Sequence, residues 1–141
     1  IVRRLVGSEM CIRDRFGDAR RIEVGVLPGL KFNTDRIQAK AGEKIVFVFP
    51  NDDSSGMVHN LAIVTPGSCQ TVMDAAVAMG AEGLKKNFIP EIPELLASTP
   101  QVAQGMKYTL YFPVPDEPGD YHFICTYPGH GLVMRGIFAV Q

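Results

Sequence analysis

The chain has 141 residues, of which 46% are hydrophobic, and its formal net charge is −1. This length suits one packed domain and is short for two. The near-neutral charge excludes the basic surface that a nucleic-acid-binding protein needs, and no apolar run approaches the roughly 18 residues of a membrane-spanning helix.

The first 15 residues, "IVRRLVGSEMCIRDR", differ in character from the rest of the chain. They contain four arginines and show neither helical nor strand periodicity. They also lack the apolar stretch and the small-residue cleavage site of a signal peptide. We therefore expect residues 1–15 to be non-native or disordered, the domain to comprise residues 16–141, and the native N-terminus, with any export signal or upstream domain, to be missing.

Most of the chain has the pattern of an all-β protein. In "RRIEVGVLP", Ile22, Val24 and Val26 alternate with other residues, as in a strand buried on one face. The next stretch, "KFNTDRIQAKAGEKIVFVFPNDD", predicts two strands about a turn at residues 41–44. Residues 45–49, "IVFVF", are apolar on both faces, which is typical of a central strand. Further strand-like segments follow at "MVHNLAIV", "MKYTLYFPVP", "GDYHFICTY" and "RGIFAV". The pattern predicts seven to eight short strands.

One segment departs from this pattern. Residues 69–87, "CQTVMDAAVAMGAEGLKKN", carry Met73, Ala76 and Leu84 at helical spacing and predict a helix of three to four turns. Thr71 and Asp74 give it a weak capping box. The following "FIPEIPELLASTPQVAQG" contains three prolines and predicts an irregular flap.

The three cysteines do not indicate a disulfide framework. Cys11 lies in the atypical N-terminal segment, Cys69 in a polar loop and Cys125 in an apolar strand. A bridge between Cys11 and Cys69 is an open alternative.

The segment "CTYPGHGLVM" brings Cys125, His130 and Met134 together around a Pro-Gly turn. A thiolate, two imidazoles and a thioether form the ligand set of a blue copper site. His59, in "MVHNLAIV", is the remaining histidine in a separate strand-like segment, and it is the candidate for the fourth ligand. We expect one copper ion at these four residues.

Each candidate has a simpler interpretation when taken alone. Cys125 could be an inert buried thiol, His130 a turn residue and Met134 a core side chain. Their joint occurrence with the His-Asn pair at residues 59 and 60 favours the metal site. His122 lies three residues before Cys125, so alternation places it on the opposite face. We expect Met57, Met73, Met79 and Met106 to serve packing.

These motifs resemble the cupredoxin family of type 1 copper proteins, which includes azurin, auracyanin and plastocyanin, over roughly residues 20–141. The resemblance implies a Greek-key β-sandwich with a short helix in an inserted flap. It also implies that His59, Cys125 and His130 are trigonal ligands and Met134 is axial. Asn60 and Thr126 match the pair that ties the two ligand segments together in the family.

The expected function is one-electron transfer by Cu(I)/Cu(II) cycling, not catalysis. Cys125 lacks the flanking histidines that connect to a trinuclear cluster in multicopper oxidases, and a single loop cysteine does not suit a binuclear centre. An apolar patch of Pro128, Gly131 and Leu132 would dock a redox protein such as a small cytochrome.

Two alternatives stay open. The domain could be a copper-binding module of a larger multidomain redox protein, or it could deliver or store copper. In each case we expect a periplasmic or otherwise exported location.

Overall fold

The structure is a computed structural model, and it describes residues 16–141. The expectation for residues 1–15 lies outside this range. The described elements are ten strands, one α-helix and three short 3-10 helices. In chain order they are β1 (Arg20–Glu23), β2 (Val26–Leu27), β3 (Lys31–Phe32), β4 (Arg36–Ala39), β5 (Lys44–Pro50), β6 (Ala62–Val64), α1 (Cys69–Ala78), 3-10 helices Gly80–Glu82 and Leu84–Lys86, β7 (Leu95–Ser98), β8 (Lys107–Pro113), β9 (Gly119–Ile124), the 3-10 helix His130–Leu132, and β10 (Arg135–Val140).

Two sheets pack face to face as a β-sandwich, which confirms the predicted fold class. One sheet has the strand order β1-β5-β8 and the other has the order β4-β10-β9-β6-β7, while β2 and β3 form a small hairpin. Side chains from both sheets fill one core. The Phe47 and Phe138 rings, for example, meet across it with centroids 5.8 Å apart. Burial of these large apolar side chains is the main force that holds the sheets together.

Strand β5 is the centre of the smaller sheet, as its apolar sequence predicts. It pairs in parallel with β1 and antiparallel with β8. Ile45, Phe47 and Phe49 face the core, while Val46 on the other face is covered by Phe16 and Tyr111. Phe16 therefore belongs to the packed domain.

The helix is shorter than predicted. Helix α1 ends at Ala78, and two 3-10 turns replace the rest of the expected helix. Gly80 has a φ of 57°, which is incompatible with a continuous right-handed helix. The predicted capping box is also wrong, because the N-cap is Ser68 and it makes no side-chain capping hydrogen bond.

The number of strands differs from the prediction of seven to eight for two reasons. The first two predicted strands are each interrupted, so that β1 to β4 replace them. Strand β7 also arises inside the segment predicted as an irregular flap, where Ala97 and Ser98 pair with Ile63 and Ala62 of β6. The local sequence did not predict β7, because this segment forms a strand only through its tertiary pairing with β6.

Cys69 and Cys125 are both buried free thiols. The alternative bridge involves Cys11, which lies outside the described residues.

Within residues 16–141 the structure has no helix of the length and apolarity needed to cross a bilayer.

Candidate metal centre

The structure brings three of the predicted ligands together inside the domain. His59, Cys125 and His130 each offer a donor atom, and these atoms lie within 4.8 Å of one another. The Cys125 sulfur lies 3.7 Å from Nδ1 of His130, and the centroids of the two imidazole rings are 5.0 Å apart. His59 and Cys125 are inaccessible to solvent, while His130 keeps 7% of its surface exposed.

The loop between β9 and β10 is folded so that its ends meet. The Cys125 backbone N–H donates to the Met134 carbonyl at 3.1 Å, and the Met134 N–H donates to the His130 carbonyl at 2.8 Å. Gly129, with a φ of 86°, supplies the left-handed turn that precedes His130. These bonds bring Cys125, His130 and Met134 to one end of the sandwich.

Met134 is fully buried next to this loop. Its backbone is bonded both to the segment of Cys125 and to that of His130. Residue 134 therefore lies beside both donor segments, and the axial role of Met134 stays a prediction.

His59 reaches the same point from another part of the chain. The strand predicted over residues 57–64 is shorter in the structure, so that His59 lies before β6 and forms an isolated antiparallel bridge with Val102. The two residues exchange backbone hydrogen bonds of 3.2 and 2.7 Å. This bridge fixes the backbone from which the buried imidazole projects.

Asn60 connects the His59 segment to the Cys125 segment. Its side-chain oxygen accepts the Thr126 backbone N–H at 2.8 Å, and its amide donates to the Thr126 and Ser98 hydroxyls at 2.9 and 3.0 Å. The Thr126 hydroxyl in turn donates to the Phe88 carbonyl at 2.7 Å. All of these side chains are buried, so the network holds the two ligand segments in register.

Burial also determines the protonation of the donors. Desolvation raises the pKa of the Cys125 thiol to about 11, although backbone N–H groups of Asn60 and Tyr127 favour the thiolate. Burial lowers the pKa of His130, and the neighbouring His59 lowers it further. At neutral pH the metal-free site therefore holds a thiol and a neutral His130 ring, and a metal ion would displace the thiol proton.

The apolar patch beside His130 differs in one residue from the expectation. Leu132 is 67% exposed and Val133 is 55% exposed, and Pro128 is partly buried. Gly131, which was expected in the patch, is buried instead. A side chain there would meet the Met73 sulfur at 2.5 Å, so Gly131 permits close packing of α1 on the loop.

Among the described residues, the remaining histidine is not one of the clustered donors, and the other methionines differ in burial. His122 lies on β9 outside the metal-donor cluster and pairs with Val64 and Ile137. Met73 is buried as a packing residue, but the expectation of packing is wrong for Met57 and Met106, which are exposed.

Sequence reasoning missed Asp53, whose carboxylate accepts a 2.7 Å hydrogen bond from Nε2 of His59. Asp53 lies in the polar stretch "NDDSS", which reads as an ordinary surface loop. The sequence analysis also did not assign Val133 to the docking patch, although this residue follows Leu132 directly and is exposed.

The residues fit a copper ion. Nδ1 of His59 is buried and, within the described part of the chain, has no hydrogen-bond partner. A buried imidazole nitrogen without a partner is costly unless it binds something. The His59 ring lies beside a thiol and a second imidazole, and sulfur together with imidazole nitrogen is a donor set that copper favours.

Comparisons with known proteins agree with this chemistry. A relative, Auracyanin-B of Chloroflexus aurantiacus, is 31% identical over 127 residues, which cover 86% of this chain and 52% of the relative. Outer membrane protein H.8 of Neisseria gonorrhoeae is 29% identical over 113 residues, covering 76% of this chain and 60% of the relative. This chain thus spans about half to three-fifths of these relatives.

A solved structure of auracyanin A, described as a "blue" copper protein from Chloroflexus aurantiacus, superposes with a TM-score of 0.73 at 28% identity. The match covers 86% of this chain and 98% of that one. The sequence model of the copper-binding proteins of the plastocyanin/azurin family matches residues 22–141. With its β-sandwich and its buried cluster of sulfur and imidazole donors, this chain belongs to the plastocyanin/azurin family of copper-binding proteins.

Proposed function

We propose that this domain is a one-electron carrier that holds one copper ion through His59, Cys125 and His130, with Met134 as a weaker axial ligand. The observation that carries the proposal is the convergence of three buried donors within 4.8 Å. When bound, copper would supply one-electron exchange between its Cu(II) and Cu(I) states.

The protein's contribution is a rigid, water-poor donor set. Cys125 and His59 are inaccessible to solvent, and the Asn60–Thr126 bonds join their segments. A donor set whose segments are held by hydrogen bonds changes little when the charge of the metal changes, which favours rapid electron exchange. An exposed, exchangeable set would suit a delivery or storage domain better, so burial favours the carrier.

His130 provides the route by which an electron would leave. It is the one of the three donors with measurable exposure, and its ring lies 4.7 Å from that of Tyr127. The exposed side chains of Leu132 and Val133 follow it directly in the loop. A small apolar patch of this kind suits the brief docking of a redox protein such as a small cytochrome.

Location and wider context are also part of the proposal. We place the domain in the periplasm or another exported compartment, and the outer-membrane name of the neisserial relative supports this placement. The relatives are longer than the matched region, which keeps the larger redox protein as a second context for the same carrier activity.

Replacing Leu132 with glutamate tests the proposed exit route. We expect electron transfer from the reduced copper-loaded protein to a small soluble cytochrome to slow by about tenfold, because a charge in the docking patch lowers the rate of productive encounter. Stopped-flow mixing of the two proteins measures this rate. Colour and copper stoichiometry should stay unchanged, because the Leu132 side chain is exposed.

The matched control is Val77→Glu, which adds the same charge at an exposed apolar residue of helix α1. It should leave the rate within about twofold of the original at physiological salt, because Val77 lies outside the exposed patch of Leu132 and Val133 and salt screens exposed charges. Equal rates for Leu132→Glu and the unmodified protein would contradict the exit route at His130.

A further inference from the structure

Asp53 is buried against the proposed ligand His59 and contacts the Nε2 atom of its ring. Its Oδ2 atom accepts a 2.7 Å hydrogen bond from Nε2 of His59, and both side chains are almost fully inaccessible. A buried carboxylate is costly unless it is well bonded, so its retention next to a ligand calls for a specific role.

The polar turn that contains Asp53 holds the carboxylate in place. The backbone N–H and the hydroxyl of Ser55 donate to its two oxygens at 3.0 and 2.8 Å. Its own N–H donates to the side-chain oxygen of Asn51 at 3.0 Å. The Asn51 amide is anchored in turn on the Val102 carbonyl at 2.7 Å. Asp53 is therefore fixed relative to Val102, the same residue that bridges to His59.

The hydrogen bond determines which imidazole nitrogen carries the proton. Both carboxylate oxygens of Asp53 accept hydrogen bonds from Ser55, and Oδ2 also lies 2.7 Å from Nε2 of His59. An ionised carboxylate only accepts hydrogen bonds, so Nε2 of His59 must carry hydrogen. In the neutral ring Nδ1 then keeps its lone pair, and Nδ1 is the ring nitrogen that is buried without a hydrogen-bond partner among the described residues.

We infer that Asp53 is a positioning residue of the copper site, which holds His59 in the Nε2–H tautomer and, through its buried negative charge, favours the oxidised over the reduced metal. This inference rests on the proposed function. Carboxylate partners of ligating histidines generally fix the ring and raise its basicity as a donor.

The variant Asp53→Asn removes the charge while keeping the size and an oxygen that can accept from Nε2. Loss of the charge should weaken Cu(II) binding more than Cu(I) binding by about tenfold, which for a one-electron couple is a rise of about 59 mV in reduction potential. Protein-film or mediated titration of the copper-loaded variants measures the potential.

The neighbouring Asp52 gives a matched control, because it is exposed and Asp52→Asn makes the same change in charge. Asp52→Asn should change the reduction potential by no more than about a third of the change in Asp53→Asn, since solvent and salt screen an exposed charge. Equal shifts for the two variants, or an unshifted potential in Asp53→Asn, would overturn the charge effect. A lower melting temperature with an unmoved potential would show a structural role only.

A second measurement needs neither a variant nor a metal. Long-range ¹⁵N–¹H correlation spectra of the metal-free protein distinguish the two neutral imidazole tautomers, and we expect His59 to show hydrogen on Nε2. Hydrogen on Nδ1 would overturn the inference even if the protein binds copper and is blue. A protein with the expected tautomer that fails to turn blue with copper would instead contradict the proposed function.

Discussion

Replacing Cys125 with serine should abolish the blue colour of the copper-loaded protein. The intense colour of such sites comes from charge transfer between a thiolate and Cu(II), and a serine hydroxyl cannot supply a sulfur donor. Cys125 is fully buried between the ligand segments, and serine differs from it by one atom, so the fold should persist. Absorption spectra after addition of one equivalent of Cu(II) measure the effect.

Cys69 is the matched control for this change. It is also a buried free thiol, but it lies at the start of helix α1, in a cluster with Val72 and Ile124 on the outer face of the larger sheet. Cys69→Ser should therefore remain blue. A Cys125→Ser protein with undiminished colour, or loss of colour in Cys69→Ser alone, would contradict the assignment of the sulfur ligand.

Replacing Asn60 with alanine should reduce the free energy of unfolding of the metal-free protein by about 2–4 kcal/mol. The change removes the acceptor for the buried Thr126 N–H and the donor to the Ser98 and Thr126 hydroxyls. Because water does not reach these groups, the loss includes their desolvation as well as the hydrogen bonds. Urea unfolding measures the difference.

Asn33→Ala is the control, because Asn33 is exposed and its replacement should change stability by less than about 0.5 kcal/mol. The Asn60→Ala protein should also bind copper more weakly, since the Asn60 side chain bonds the segment of His59 to Thr126. If both variants lose similar amounts of stability, the Asn60 network does not hold the ligand segments together.

The parts of the site that lie close in sequence could be predicted from it. Cys125, His130 and Met134 fall within ten residues, and a turn at Gly129 is enough to bring them together. His59 could be assigned because few histidines are present and Asn60 follows it. Asp53 could not be predicted, because its contact with His59 depends on a turn whose register is set by Asn51 and Val102.

The same distinction applies to the fold. Strand β5 was predictable because burial on both faces leaves a continuous apolar run in the sequence. Strand β7 was not, because it is defined by pairing with β6, more than 30 residues away in the chain. The early end of α1 depends on the left-handed backbone at Gly80, and a lone glycine in a helical pattern does not reveal its φ.

The most direct test of the central claim, that this domain carries one electron on one copper, is anaerobic mixing of the reduced copper-loaded protein with an excess of a small oxidised cytochrome. The account predicts one cytochrome reduced per protein chain, return of the blue colour on the same time course, and no steady oxygen consumption when the experiment is repeated in air without the cytochrome. No reduction of the cytochrome, a stoichiometry other than one, or sustained oxygen consumption would contradict it.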